Sequence, residues 1–137
     1  MSDLSEVEYR ALAEFRHQLA RFLQHGRRAA RDAGLQPLQY QLMLAVKGIP
    51  RHRHPTIGEI AERLQVHRHT VVELVGRLER RQLIHRQRDR YDHRIAHLNL
   101  TSLGEVLLCK LVNLTLTELR TEAPVLVQAL SDILGVE

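Results

Sequence analysis

The sequence has no tryptophan, and aromatic residues make up only 4% of its 137 positions. A core without large rings has to be assembled from Leu, Val, Ile and Ala, which suits packed helices. There is one cysteine, Cys109, so no disulfide can close within the chain, and a lone thiol fits a reducing compartment. No apolar run reaches the ~18 residues that a bilayer crossing needs, so no membrane partner is expected. The first twenty residues lack a basic head followed by an apolar stretch; no secretory leader is read there, and the cytoplasm is the expected location. There is no Gly-rich phosphate loop, no nucleophile elbow and no pair of carboxylates spaced for acid–base work. These absences argue against an enzyme and against a bound cofactor.

What is present is enough to fold. A hydrophobic content of 44% lies outside the range of disordered chains, and 137 residues make one domain that can bury a core without staples. The net charge of +4 is unevenly placed. From Arg51 to His97 there are eleven arginines against six acids, and the rest of the chain is close to neutral. Arginine is the cation suited to bidentate phosphate and base contacts. A basic middle between neutral flanks reads as a nucleic-acid footprint.

Periodicity supplies the elements. Residues 5–31 form a long amphipathic helix with Leu12, Phe15, Leu19, Phe22 and Leu23 on one face, ended by Ala33-Gly34. A second helix runs from Pro37 to Lys47, with Gly48 suited to a left-handed cap. "GIPRHRHP" (48–55) is a loop. Thr56 and Glu59 have capping-box spacing and start a short helix to Leu64. After a brief turn, a helix from about His69 to Arg81 turns Val71, Leu74, Val75 and Leu78 inward. His69, Val72, Glu73, Gly76, Arg77 and Arg80 lie on its opposite face. The period then changes, and residues 83–88 and 94–100 read as a hairpin with the polar tip "DRYDH". Thr101 caps a helix to about Glu122 that is apolar over more than half its circumference, and Pro124 opens a last one.

Short helix, tight turn, second helix and basic hairpin follow the order of a winged helix-turn-helix. The first helix props the second in the major groove, and the hairpin reaches the adjacent minor groove. Over residues 35–108 the chain resembles the multiple antibiotic resistance regulator (MarR) family. "EIAERLQV" is similar to the helix before the turn, and "TVVELVGRLERRQLIHR" to the recognition helix entering the first wing strand. "DRYDHR" resembles the wing-tip pattern, "LNLTSLG" the L-T-x-x-G that starts the long C-terminal helix, and "LQPLQYQLMLAV" the helix leading into the domain. The expected fold is mainly α with a small β-hairpin wing. A lobe over 35–100 binds DNA, and dimerisation helices over 1–34 and 101–137 complete a single 1–137 unit. The chain departs from the pattern at Gln82, where the family usually has Gly. A non-Gly residue there either takes a strained positive φ or the turn differs. Gly76, inside a helix, either permits close approach to a sugar-phosphate backbone or is a surface glycine without a role.

The resemblance assigns Arg94 to the minor groove, oriented by Asp92. His69, Thr70, Glu73 and Arg77 face the bases by their place on the outer side of the helix. Arg68 sits near a helix N-terminus where phosphates bind, and Arg86, Arg88 and Arg90 are phosphate candidates on the wing. Arg53 is a weaker one. The expected partners are a double-stranded DNA operator of pseudo-palindromic sequence, a second copy of the chain and a small-molecule effector, in a ligand-responsive repressor. A DNA-binding regulator or architectural protein without an effector is the alternative. In the family a ligand pocket lies between the dimer helices and the DNA-binding lobe, with Tyr9, Phe15, Tyr40 and Leu44 as candidate walls here. Nine histidines raise a zinc-responsive alternative, but there is no H-x-x-x-H on a helix and no C-x-x-C, so no metal ligands are assigned. His67 and His69 are two apart, which on a helix points them about 200° apart unless the first lies in the turn. His93 and His97 share a face if both lie on a strand. Cys109, in the apolar C-terminal helix, reads as a core or interface residue.

Overall fold

The computed structural model describes residues 3–136, and among these there are five helices and one two-stranded antiparallel sheet. Helix α1 spans Glu6–Asp32. The Ser5 hydroxyl accepts from the Glu8 amide at 3.2 Å, and Glu6 and Glu8 face the positive end of the helix dipole. Gly34, at φ +74, takes the left-handed turn into α2, Pro37–Lys47. Gly48 after α2 is not left-handed, contrary to expectation: its φ is −94. Its N–H reaches the Leu44 carbonyl at 2.8 Å as one more helix-like bond, so the chain leaves without a reversal.

Helix α3, Ile57–Leu64, is capped by Thr56, whose hydroxyl accepts from the Glu59 amide at 3.2 Å. Only this half of the capping box forms. The Glu59 carboxylate lies against Arg53 at 3.5 Å and Arg63 at 3.4 Å, and the Thr56 amide donates to the His54 carbonyl at 2.8 Å. Gln65, at φ 56, makes the left-handed turn into α4, Arg68–Arg80. Strands β1 (Ile84–Arg88) and β2 (Ala96–Leu100) pair in the register Ile84↔Leu100 to Arg88↔Ala96. The loop before α3 joins this sheet: Thr56 forms a bridge with His97, and the Leu98 amide donates to the Pro55 carbonyl at 2.8 Å. The long loop therefore ends as a rudimentary third strand at the base of the wing.

Helix α5 runs unbroken over Ser102–Leu134 with Pro124 inside it, so Pro124 does not open a separate helix. Proline forfeits one backbone bond and crowds the preceding turn. Here α1 lies antiparallel along both halves: Arg21 and His25 hold Glu122 just before the proline, and Ala129 is buried just after it. The reversal comes instead at Gly135, φ +71.

The core lies where α2, α3, α4, the sheet and the first third of α5 meet, with Leu42, Met43, Ile60, Leu78, Ile84, Leu98 and Leu111 buried. The inward faces of α3 and α4 are the expected ones. The outer helices differ. Leu12 and Leu23 of α1 and Leu103 and Leu114 of α5 are exposed, because one copy of the chain covers only the Ala11–Gln18 side of α1 and the Leu108–Leu111 side of α5. Cys109 is exposed too, so it is not a core residue of the single chain.

Candidate nucleic-acid interface

Helix α4 packs through Val71, Leu74, Val75 and Leu78, and this burial turns its opposite side outward. His69, Glu73 and Arg77 are exposed there and Thr70 is half-buried beside them. Helix α4 starts one residue earlier than the pattern suggested: Arg68 is its first residue and His67 its N-cap. His67 therefore lies in the turn, and its ring stacks on that of His69, with centroids 5.5 Å apart and planes within 10°. Sequence reasoning did not assign His67 to the site; the signal was the reservation that the 200° separation lapses if the first histidine precedes the helix.

Arg77 is not entirely free, since its guanidinium donates to the Gln36 side chain at 3.4 Å. Arg81, one turn on, donates to the Gly34 carbonyl at 2.7 Å. These two contacts seat the α1–α2 connection against the C-terminal end of α4. Gly76 has open space around its Cα, with no atom close to where a Cβ would stand.

Four of the expected contact residues converge. Arg68, Arg86, Arg88 and Arg94 line an open cleft of about 570 Å³ between the start of α3 and the wing, whose floor includes Thr56, Ile57 and Gly58. Gly58 matters here, because the Arg68 guanidinium lies flat against it, 3.5 Å from the position of a Cβ. Not all this charge is uncommitted. Arg86 is paired with Glu79 at 3.1 Å, and Arg88 donates to the His93 carbonyl at 2.6 Å. Arg90 stands exposed at the tip. Arg53, by its pairing with Glu59, is turned to α3.

The wing tip is organised by two aspartates. One oxygen of Asp89 accepts from the amides of Tyr91 and Asp92 at 2.9 and 2.8 Å, and the other faces His97 Nε2 at 3.1 Å. The amide of Asp92, then that of Tyr91, hold the Asp89 carboxyl below its ordinary range, and nearby His97 adds to this. Asp92 accepts from Arg94 Nε at 3.0 Å and Nη2 at 3.1 Å, a bidentate pair, and also from the Arg94 amide. The Arg94 side chain lowers the Asp92 pKa, and Asp92 raises that of the guanidinium.

The histidines do not gather. His54 packs on His97 with ring centroids 5.0 Å apart, while His93 lies in the tip, outside β2, so the expected shared face of His93 and His97 does not form. The regular ladder ends at Arg88↔Ala96, one further bond joins the Asp89 amide to the Ile95 carbonyl at 2.8 Å, and residues 90–94 form the polar tip. Among the described residues no three His, Cys, Asp or Glu side chains are placed to hold a metal ion. No described helix is long and apolar enough to cross a membrane.

Of the expected pocket walls, Tyr40 and Leu44 line a cavity of about 210 Å³ with Phe22, Leu23, Arg27 and Thr115, and the Tyr40 hydroxyl is 2.7 Å from that of Thr115. Tyr9 and Phe15 do not line it. They sit two turns or more before Phe22 on α1, and Tyr9 is exposed.

Comparison with known proteins agrees with this geometry. The MarR family model matches residues 33–95. No curated protein sequence matches significantly. Among solved structures, AbsC, a MarR family transcriptional regulator from Streptomyces coelicolor, has a TM-score of 0.73 at 15% identity, covering 89% of this chain and 82% of its own. A MarR family protein from Bacillus stearothermophilus has a TM-score of 0.73 at 22% identity over 87% of this chain and 81% of its own. A mutant of S. aureus MepR bound to an oligodeoxyribonucleotide has a TM-score of 0.67 at 23% identity, with coverages of 89% and 84%. A MarR family match over residues 33–95, a fold shared with solved MarR family regulators, and an arginine-lined cleft beside an exposed α4 together make this chain similar to the MarR family of transcriptional regulators.

Proposed function

We propose that the protein is a ligand-responsive repressor that binds a pseudo-palindromic operator as a homodimer. The observation that carries the DNA half of this reading is the convergence of Arg68, Arg86, Arg88 and Arg94 on one open cleft beside α4. In this reading His69, Thr70, Glu73 and Arg77 meet base edges in the major groove, and Arg68, Arg86, Arg88 and Arg90 meet phosphates. Arg94, aimed by Asp92, enters the minor groove. The lobe over 35–100 does the reading, and the helices over 1–34 and 101–137 join two copies. The exposed apolar residues on α1 and α5 support that division. The small cavity under α1 lined by Tyr40 and Leu44 is the proposed effector site. A regulator from Streptomyces coelicolor, PcaV, 31% identical over 63% of this chain with a TM-score of 0.51, was solved with its natural ligand.

A nuclease footprint on the DNA upstream of the protein's own gene tests the proposal. Two protected, two-fold related half-sites about 10 base pairs apart, centre to centre, are expected. A protein that protects no discrete stretch of duplex at low salt would overturn it.

A further inference from the structure

The basic middle of the chain is not its only concentration of positive charge. Residues 15–31 hold five arginines and two histidines and no acid. The first part of α1 is different in kind, with Glu6, Glu8 and Glu14 against Arg10. Burial of Ala11, Gln18 and Ala30 on one side of α1 leaves Arg16, His17, Arg27, Arg28 and Arg31 exposed, with Arg27 at the edge of the cavity lined by Tyr40 and Leu44. The acids that α5 presents to α1 are used elsewhere: Glu122 takes Arg21 at 3.4 Å, and both Glu118 and Glu122 take His25, at 3.3 and 2.8 Å. Among the described residues, Arg16, Arg27, Arg28 and Arg31 have no carboxylate at ion-pair distance.

A face that is merely solvated carries interspersed signs, and like charges one turn apart on a helix repel. Arg27 and Arg31 are one turn apart, as are Arg28 and Arg31. Arg31 in the last turn complements the helix dipole, but that effect fades within a turn and leaves Arg27, Arg28 and Arg16 unexplained. The location supplies the explanation. The basic end of α1 is the end seated on α4 through Arg81 to Gly34 and Arg77 to Gln36. Arg77 and Arg81 thus hold the connection that follows α1 against the end of the recognition helix, and Arg31 stands three residues before Gly34.

We propose that the arginine-rich face of α1, centred on Arg27, Arg28 and Arg31 and followed by a single acid, Asp32, at the helix end, is a second DNA-phosphate contact surface that extends the footprint beyond the base pairs read by α4 and the wing. The inference rests on the DNA-binding reading above. Its contribution is non-specific: arginine–phosphate contacts release counterions, add to affinity at every sequence alike, and steepen the salt dependence.

The test compares the full chain with the triple variant Arg27→Gln, Arg28→Gln, Arg31→Gln, binding a 40-base-pair duplex of random sequence and the protein's own upstream DNA over a salt series. Glutamine keeps helix propensity, and the three side chains are exposed, so the thermal melt is expected to be unchanged. Each phosphate contact contributes about 0.9 to the slope of log affinity against log salt. The slope is expected to fall by about 2–3 per protomer, up to about 5 for the bound dimer, on both duplexes, with affinity at 0.1 M salt lower by at least roughly a hundredfold and the preference for the upstream DNA retained. A control variant, Lys110→Gln with Arg120→Gln on α5, is expected to leave the slope nearly unchanged. A triple variant with the wild-type slope would overturn the inference while leaving DNA binding intact and would point to an acidic protein or no partner for this face. A control that loses as much slope per charge would overturn it as a net-charge effect. A wild-type chain with no salt-dependent duplex binding would remove both readings.

Discussion

Arg94 and Asp92 form a bidentate pair at 3.0 and 3.1 Å on the wing, and the Arg94 side chain is nevertheless 90% exposed. An exposed ion pair adds little to stability. What it does is restrict a long side chain to one direction before any partner arrives, which lowers the ordering cost at the moment of binding. Replacing Arg94 with Ala should therefore cost duplex affinity roughly 1–3 kcal/mol with little change in the thermal melt. Asp92→Asn should cost less, because the guanidinium remains and only its aim is lost. Fluorescence anisotropy at one fixed salt concentration measures both. Arg94→Ala binding as tightly as wild type would remove the wing from the interface.

Gly104 and Gln82 make a second pair of predictions, on stability. A Cβ at residue 104 would run into the carbonyl oxygen of Leu83, a backbone atom that cannot swing away. The Thr101 amide donates to that same carbonyl at 3.1 Å, and the Thr101 hydroxyl to the Gln82 carbonyl at 2.6 Å. The start of α5 is thereby locked to the end of α4. Gly104→Ala should destabilise by about 2–3 kcal/mol, at the upper end of overpacking costs. Gln82 sits at φ 59, so Gln82→Gly should stabilise by up to about 1 kcal/mol, the relief of strain being partly offset by the freer unfolded chain. Urea midpoints with unchanged m-values would read both. A neutral Gly104→Ala would mean that the joint is looser than its geometry.

The α3–α4 unit and the hairpin were legible in the sequence, because their apolar positions repeat at 3.6 and at 2 and each is buried on one face by its immediate neighbours. Gln82 left two outcomes open, and the backbone takes the strained one. The features that escaped depend on distant contacts. Pro124 reads as a helix start by local rules, yet α1 carries α5 past it. The half-formed capping box at Thr56 reflects competition from Arg53 and Arg63 for Glu59, and no spacing rule includes Arg53. The apolar stripes of α1 and α5 are visible in the sequence, but which parts stay uncovered depends on how the helices dock. The basic face of α1 was hidden by averaging, since the acids of α1 and α5 cancel it in any count over the flanks.

Asp89 gives the wing a pH dependence. Its carboxyl is held below the ordinary value of 3.8, first by the Asp92 amide, then by that of Tyr91, with His97 assisting. A lowered pKa in the folded state means that the ionised form is favoured there. The stabilisation is present in full above the ordinary carboxyl range and is lost as pH falls through the lowered value. The amide resonances of Tyr91 and Asp92 should therefore hold steady through neutral pH and shift together only in acid, with a midpoint below 3.8. Asp89→Ala should produce the loosened tip already at pH 7 and weaken duplex binding through Arg94. An amide midpoint at or above 3.8 would show that the two hydrogen bonds do not form in solution.

Dimerisation is the prediction with most depending on it, because a two-fold operator has no meaning for a monomer. A group of the exposed apolar residues gathers at one end of the molecule. Val7 and Leu12 on α1, and Val127, Leu130, Ile133 and Leu134 on α5, lie on two antiparallel helices at the end of the molecule away from α4. Contiguous apolar surface of this kind marks an interface, and a self-complementary patch gives an isologous pair. Sedimentation at micromolar concentration should show a dimer. Leu12→Glu combined with Leu134→Glu should shift the equilibrium to monomer by at least roughly tenfold, since each would bury a charge without a partner. The monomer should keep the winged lobe folded, because none of its core residues belongs to this patch. It should also lose affinity for the two-half-site duplex far more than for a single half-site, because only the former gains from linking two lobes. Equal losses on both duplexes would mean that the substitutions damage the lobe itself. A wild-type chain that sediments as a monomer would rule out the two-fold operator.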